Sequence, residues 1–290
     1  MMKFISRDTA LAPGREAAAA LAEQPGPFRV YSPSYSLPMQ TAAAFNLHLA
    51  DGVEPVHLAV VDQFMARAGG YGDPGFSVTI PHFDGPPESA LRDVQPSLKL
   101  LGLLNVKYLA AEFPMAWEGL AAEAQIGRTF IYRNRLALPR AWVAYQTQPV
   151  QSDWLGQLES LPDVQAVVLT EGDAPTLNTP RPASAAEVTH FAPDRIRLAA
   201  ATDGPGWLVL SEIWYPGWTA VVDGAPVPVA RVDGLLRGVY LPNAGAHNIS
   251  LEYRPASVIW GGRLAWATLL AIVAAAGIWA ARATFRPKNP

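Results

Sequence analysis

The residue types that do chemistry in water are present in this chain, but few are spaced to do it together. Five histidines, His48, His57, His82, His190 and His247, are scattered, and none forms the His-Glu-x-x-His spacing or another close pair that would put two imidazoles on one metal. Asp62, Asp73, Asp84 and Glu88 could supply the two carboxylates of glycoside hydrolysis, although acidic residues in such loops are ordinarily just solvated. Ser77 has Gly75 two residues before it but no glycine two after, so a nucleophile elbow is absent. The run GGYGDPG, Gly69 to Gly75, lacks the Lys-Ser or Lys-Thr that completes a phosphate-binding loop. These patterns assign no catalytic residue, no metal ligand and no cofactor-binding residue, and no cofactor is expected.

One stretch remains, EIWYPGWTAVVDGAPVPVARV, in which Trp214, Tyr215 and Trp218 surround Pro216-Gly217. Exposed aromatic rings of this kind stack on the apolar faces of sugars, and buried ones close the end of a β-domain. The residues favour the second reading and leave the first open. Asp223-Gly224 lies between two alternating runs, where a two-residue I′ hairpin turn needs positive φ at both positions, so Asp223 reads as a turn residue and not as an acid catalyst. Tyr253 and Pro255, which close the last strand, complete this set of structural positions. Asn248-Ile249-Ser250 matches a glycosylation acceptor but falls inside a predicted strand.

The elements that must position these residues follow from composition and periodicity. With 290 residues, half of them hydrophobic and 16% charged, the chain can bury a sizeable core in one large or two ordinary domains. A net charge of -3 with no long run of either sign leaves no electrostatic footprint for nucleic acid. The absence of cysteine excludes disulfides and thiolate chemistry, and 27 prolines with 23 glycines favour many short elements joined by turns.

After an alanine-rich segment, 1–27, residues 28–172 read as an α/β region. GPFRVYSPS is a strand entering a loop, and LPMQTAAAFNLHLADG is a short helix closed by Asp51 and Gly52. VHLAVVDQFMARAGG is a helix ended by Gly69 and Gly70, and SLKLLGLLNVKYLAAEF is helical through Leu104 and then alternates at Val106, Tyr108 and Ala110 as a strand does. RTFIYRN and LPRAWVAYQ give two strands split by Pro139, and WLGQLESLPDVQAVVLTEG gives a helix and a buried strand. Residues 173–184 form a proline-containing linker. Beyond it, over 185–255, about seven short strands bounded by turn residues predict an antiparallel, Ig-like β-sandwich. In RIRLAAAT, Ile196, Leu198 and Ala200 share one face and Arg195 and Arg197 the other, as in a half-buried sheet.

The last element, 256–281, reads as a transmembrane helix. Val258 to Ala281 is interrupted only by Arg263, and about 24 residues at roughly 1.5 Å each reach about 36 Å, enough to cross a hydrocarbon core of about 30 Å. Trp260, Trp266 and Trp279 sit near where interfacial belts would lie, and Arg263 can snorkel. Arg282, Arg286 and Lys288 in the tail, 282–290, outweigh Arg254 and Arg263 by little, which favours a cytoplasmic tail and an extracytoplasmic body. Residues 1–24 lack the apolar segment of a signal peptide, so the expectation is either a tail-anchored cytosolic domain or an upstream membrane portion that supplies export.

The block LVLSEIWYPGWTAVVDGAPVPVARV, followed by LRGVYLP, AGAHNISLEYRP and a closing membrane helix, resembles the C-terminal end of the bacterial YfhO-type membrane proteins. FRVYSPS, LLNVKYLAAEF and YRNRLALPRAW extend the resemblance upstream, to about Phe28. Trp214 ahead of Tyr215, and the turn in PNAGAHNIS, which is longer than the usual Pro-Ala-Gly, depart from the family pattern. The resemblance implies a multi-spanning glycosyltransferase of the GT-C type, thought to move a sugar from a polyprenyl-phosphate carrier to a cell-envelope polymer. It implies a catalytic acid in an early loop near the first membrane helices, upstream of this chain, so no catalytic position carries over. This part would then be an accessory or acceptor-contact region, partnered by the lipid bilayer and by the glycopolymer or the membrane portion of the same protein. The alternatives are a membrane-anchored, non-catalytic carbohydrate-binding or assembly module, and a tail-anchored enzyme of another type.

Overall fold

The computed structural model describes residues 6, 9, 11–53, 58–72 and 78–284, with side chains as far as residue 280. Its first layer is a five-stranded sheet in the order β2 (His48–Leu49), β1 (Arg29–Tyr31), β3 (Val106–Ala111), β5 (Thr129–Asn134) and β4 (Leu120–Ile126). β1 runs parallel to both β2 and β3, while β5 is antiparallel to β3 and to β4. Helices α1 (Arg15–Ala22), α2 (Met39–Ala44), α3 (Ala59–Gly69), α4 (Pro87–Ala90) and α5 (Leu98–Leu103) accompany it. Gly70, in the left-handed region that glycine enters without a Cβ penalty, ends α3 where the sequence places its stop. The segment read as one helix through Asp51 is shorter than expected: α2 stops at Ala44, Asn46 turns the chain at φ 54, and His48–Leu49 adds a strand beside β1.

The second sheet has eleven strands. Its order is β13 (Ala225–Val227), β12 (Trp218–Val222), β16 (Gly245–Tyr253), β10 (Arg195–Thr202), β9 (Ser184–Ala192), β6 (Ala141–Ala144), β11 (Gly206–Ile213), β15 (Leu236–Leu241), β14 (Ala230–Val232), β8 (Val167–Thr170) and β7 (Gln146–Pro149). It folds on itself at the short β6–β9 pairing, Trp142 against Ala185 and Val143 against Ser184. One core fills the fold: Ala141, Val143, Leu208, Leu210, Val239 and Leu241 from one half meet Ile196, Leu198, Ala220, Val222, Ile249 and Leu251 from the other. That is the sandwich read from the alternating pattern, and all pairings are antiparallel except β7 with β8.

The opposite faces of β6, β11 and β14, with Trp142, Ala144, Trp207, Val209 and Val232, pack into a second core with Phe64, Met65, Leu101, Leu103 and Leu158, the last from helix α6 (Trp154–Ser160). The half-sheet is therefore covered on both sides, which is why β11 is buried along Gly206–Ser211 and shows no alternation. Three of its strands, β6, β7 and β8, come from before the proline-containing linker.

Helix α7, Ala256–Thr284, leaves the body directly after β16. Its stretch Ala256–Ala280, 25 residues, is long and apolar enough to cross a membrane and is exposed throughout. Trp260, Trp266 and Trp279 project from it at 65%, 68% and 74% exposure, and the Arg263 guanidinium lies 4.9 Å from the Trp260 ring centre. Such a surface on an unburied helix calls for a lipid environment.

Candidate functional site

The Trp-Tyr-Pro-Gly-Trp stretch lies where the body meets α7. Gly217, at φ 106, is held so close to the chain's exit that a Cβ would come within 3.0 Å of Pro255 Cα and 3.1 Å of Tyr253 Cε2, so glycine is required there. Trp218 is half-buried, with its ring 5.5 Å from that of Tyr253 and the Arg237 guanidinium 3.7 Å from its centroid. Trp214 donates from Nε1 to the Val229 carbonyl and stacks against Arg231. Tyr215 alone of the three is largely exposed, at 46%. Trp214 and Trp218 thus pack against the protein's own residues, while Tyr215 leaves much of its ring to solvent.

Asp223 and Gly224 take φ 52 and 86, the paired positive values of the I′ turn. The Asp223 carboxylate accepts the Asn248 N–H at 2.8 Å and pairs with His247 Nδ1 at 2.6 Å. The Asn248 N–H and then His247 hold Asp223 below the usual carboxylate range. Burial opposes the charge on His247, but the bonds to Asp223 and to the Asn243 carbonyl outweigh it and raise its pKa. The pair clasps the β12–β13 turn to β16. Asn248 lies on β16, as read.

The other candidates stay apart. His82 is exposed, 3.6 Å from exposed Asp84, and Glu88 and His190 are exposed as well. Asp62 sits in the first turn of α3. His57, Asp73, Gly75, Ser77, Arg286 and Lys288 lie outside the described residues. Among the described residues no group of three or more His, Asp or Glu could hold a metal.

The structure assembles a different site, at the junction of the two sheets. Arg29 of β1 reaches from the first sheet to the second: its Nη1 donates to the carbonyls of Leu104, 2.8 Å, and Ser211, 2.7 Å, and its Nη2 lies 3.3 Å from Glu212 Oε1. The same carboxylate oxygen accepts from Arg140 Nε at 2.6 Å and from Arg140 Nη2. Arg237 on β15 donates to the Ile213 carbonyl at 3.0 Å, and its buried Nη1 has no hydrogen-bond partner. Two guanidiniums, those of Arg29 and Arg140, therefore share one carboxylate in a part of the protein where the Arg140 side chain is 6% exposed, and Arg237 stands near enough to feel their charges. Burial, only partly offset by Glu212, lowers Arg29 to about 10, and Arg140 and Arg237 add to the effect; Arg237 falls to about 10 for the same reason.

A cavity of about 520 Å³ opens beside this cluster, lined by Arg140, His48, Phe28, Phe45, Phe191 and the polar side chains of Gln24 and Asn46. Arg140 and Val188 also line an adjoining cavity of about 750 Å³ that runs along β9 and β10 to His247 and includes Glu187. The Arg140 guanidinium lies 5.1 Å from the Phe191 ring centre, and His48 meets Phe191 edge to face at 5.7 Å. Burial first, then Arg140 and Arg29, lower the His48 pKa, while Glu212 opposes them. Sequence reading missed these residues because they lie up to 183 positions apart, as Arg29 and Glu212 do. The available signal was charge inside apolar runs: Arg140 opens RAWVAY, and Glu212 stands in LVLSEIW.

No family model matches the chain, and no curated protein matches it. Two solved structures of the arabinofuranosyltransferase AftD from Mycobacteria, one of them a mutant, are similar to part of it at 25% identity, with TM-scores of 0.25 and 0.26. Each likeness covers 34% of this chain and 8% of that one, so this chain spans under a tenth of its length. TM-scores this low mark a local likeness and establish no shared fold.

Proposed function

We propose that this chain is the membrane-anchoring, extracytoplasmic part of a YfhO-like membrane protein of the GT-C class, serving transfer of a sugar from a polyprenyl-phosphate carrier to a cell-envelope polymer. Its role is contact with the acceptor and anchorage beside the transferase core; the partners are the bilayer, the glycopolymer and the membrane portion of the same protein. The observation that carries this reading is the construction of the exit. A β-rich body passes through Tyr253, Arg254 and Pro255 straight into an apolar helix with no described residue covering it, and the motif that carries the family resemblance forms that exit. Such a junction fixes the body close to the headgroups, where a lipid-linked sugar would be presented.

The test uses the full chain in detergent. Titration with purified envelope polysaccharide is expected to give saturable binding, and incubation with a polyprenyl-phosphate sugar to give no transfer. Absence of polysaccharide binding contradicts the acceptor-contact role, and turnover by the chain alone contradicts its accessory nature.

A further inference from the structure

The cavity at the sheet junction combines features that the anchoring role does not require. Among its lining residues the ionisable groups are Arg140 and His48, with no carboxylate, and behind them Arg29 and Arg140 share the single carboxylate Glu212 while Arg237 adds a third positive charge nearby. Uncompensated buried positive charge is costly unless an anion completes it. The walls above it are flat and apolar, from Phe45, Phe28 and Phe191, with the amide side chains of Gln24 and Asn46 at the margin. At about 520 Å³ the space lies within the roughly 300–1,000 Å³ of small-molecule sites.

We infer that this cavity binds an acidic sugar, its carboxylate or phosphate seated on Arg140 and His48 and its ring laid against Phe191 and Phe45. Arginine presents planar donors suited to either oxyanion, and aromatic faces suit the apolar side of a pyranose or furanose ring. The anion follows from the charge count of the cluster. The choice of a sugar ring rests on the envelope reading given above.

Burial first, and then the charges of Arg140 and Arg29 against the opposing Glu212, leave the His48 proton weakly held in the free protein. An oxyanion beside the imidazole reverses that balance. Binding is therefore expected to tighten as pH falls from about 7.5 to about 5.5, across the ordinary histidine range.

Calorimetric titration of the full chain in detergent tests this with glucuronate, glucose 1-phosphate, inorganic phosphate and neutral glucose as probes. The expected result is saturable binding of at least one acidic sugar, at least tenfold tighter than glucose and tenfold tighter than phosphate, and strengthened at lower pH. Phe191→Ala, at an exposed ring, is expected to weaken it about tenfold, and His48→Gln to remove the pH dependence. Arg140→Gln should abolish binding; should that variant fail to fold, the other two decide. Binding of glucose equal to glucuronate, or no binding of any anion, overturns the proposal. Phosphate binding as tightly as glucose 1-phosphate overturns the sugar assignment. Failure of polysaccharide binding with acidic-sugar binding intact would separate this site from the acceptor role.

Discussion

Glu212→Gln tests the electrostatics of the sheet junction, because the amide keeps the size and one acceptor oxygen of the side chain while it removes the charge. In the wild type one carboxylate oxygen takes Arg29 Nη2 at 3.3 Å and Arg140 Nε at 2.6 Å, with side-chain exposures of 12%, 6% and 13% for Arg29, Arg140 and Glu212. The variant leaves the Arg29 and Arg140 guanidiniums without their counter-charge, with Arg237 still nearby. Breaking a pair this buried costs about 3–5 kcal/mol, most of it the penalty on the cations left behind. At about 2–4 °C per kcal/mol for a body of this size, the melting temperature should fall by roughly 6–20 °C. Tryptophan fluorescence during heating in detergent reads this directly, since Trp142 and Trp207 lie in the core behind the junction. Phosphate buffer should restore part of the loss relative to chloride at matched ionic strength. A fall under about 2 °C would show that solvent screens the cluster and would refute the charge imbalance on which the cavity's anion preference rests.

Three further outcomes follow from other parts of the fold. Asp233 is fully buried, its Oδ1 accepting the Leu169 N–H at 2.8 Å, and burial raises its pKa from 3.8 to about 7; a folded pKa above the unfolded one means stability present below about pH 4 and lost as pH rises to about 7. That interval, at roughly 1.4 kcal/mol per pH unit, is on the order of 4 kcal/mol, so Asp233→Asn should melt above wild type at pH 8 and show a flatter melting profile from pH 4 to 7, with a further part of the slope due to Asp51, likewise raised to about 7. Gly217→Ala puts a Cβ 3.0 Å from Pro255 at φ 106 and is expected to cost about 1–3 kcal/mol in the same melting assay, with a null effect contradicting the tight exit. Trp218→Ala removes a half-buried ring packed by Arg237 and Tyr253, so its cost should fall below the roughly 3–5 kcal/mol of a fully buried tryptophan, near 2; unchanged melting with lost polysaccharide binding would make the corner a ligand platform after all.

Local signals carried much of the architecture. The alternation of Ile196, Leu198 and Ala200, the Asp223-Gly224 turn and the Gly70 stop all act over a few residues, and the structure places each where its chemistry demands. The β2 strand was not legible, since two residues have no period and pairing with β1 decides their state. Nor was the membership of β6 and β8 in the second sheet, because strands buried on both faces look alike whichever sheet they join. Asp233-Gly234 repeats the turn signal of Asp223-Gly224 at φ 49 and 72, and could have been read by the same rule. The junction site is a product of topology: Arg29, Arg140 and Glu212 meet only once both sheets are assembled.

The envelope role depends on which side of the membrane the body occupies. Protease treatment of intact spheroplasts expressing the whole native protein, with one epitope in the exposed Gly127-Arg128 turn and another after Pro290, is the most direct measurement. The account predicts that the turn epitope is lost and the epitope after Pro290 protected until the membrane is permeabilised. A protected turn epitope and a digested epitope after Pro290 would place the body in the cytoplasm and contradict an envelope role.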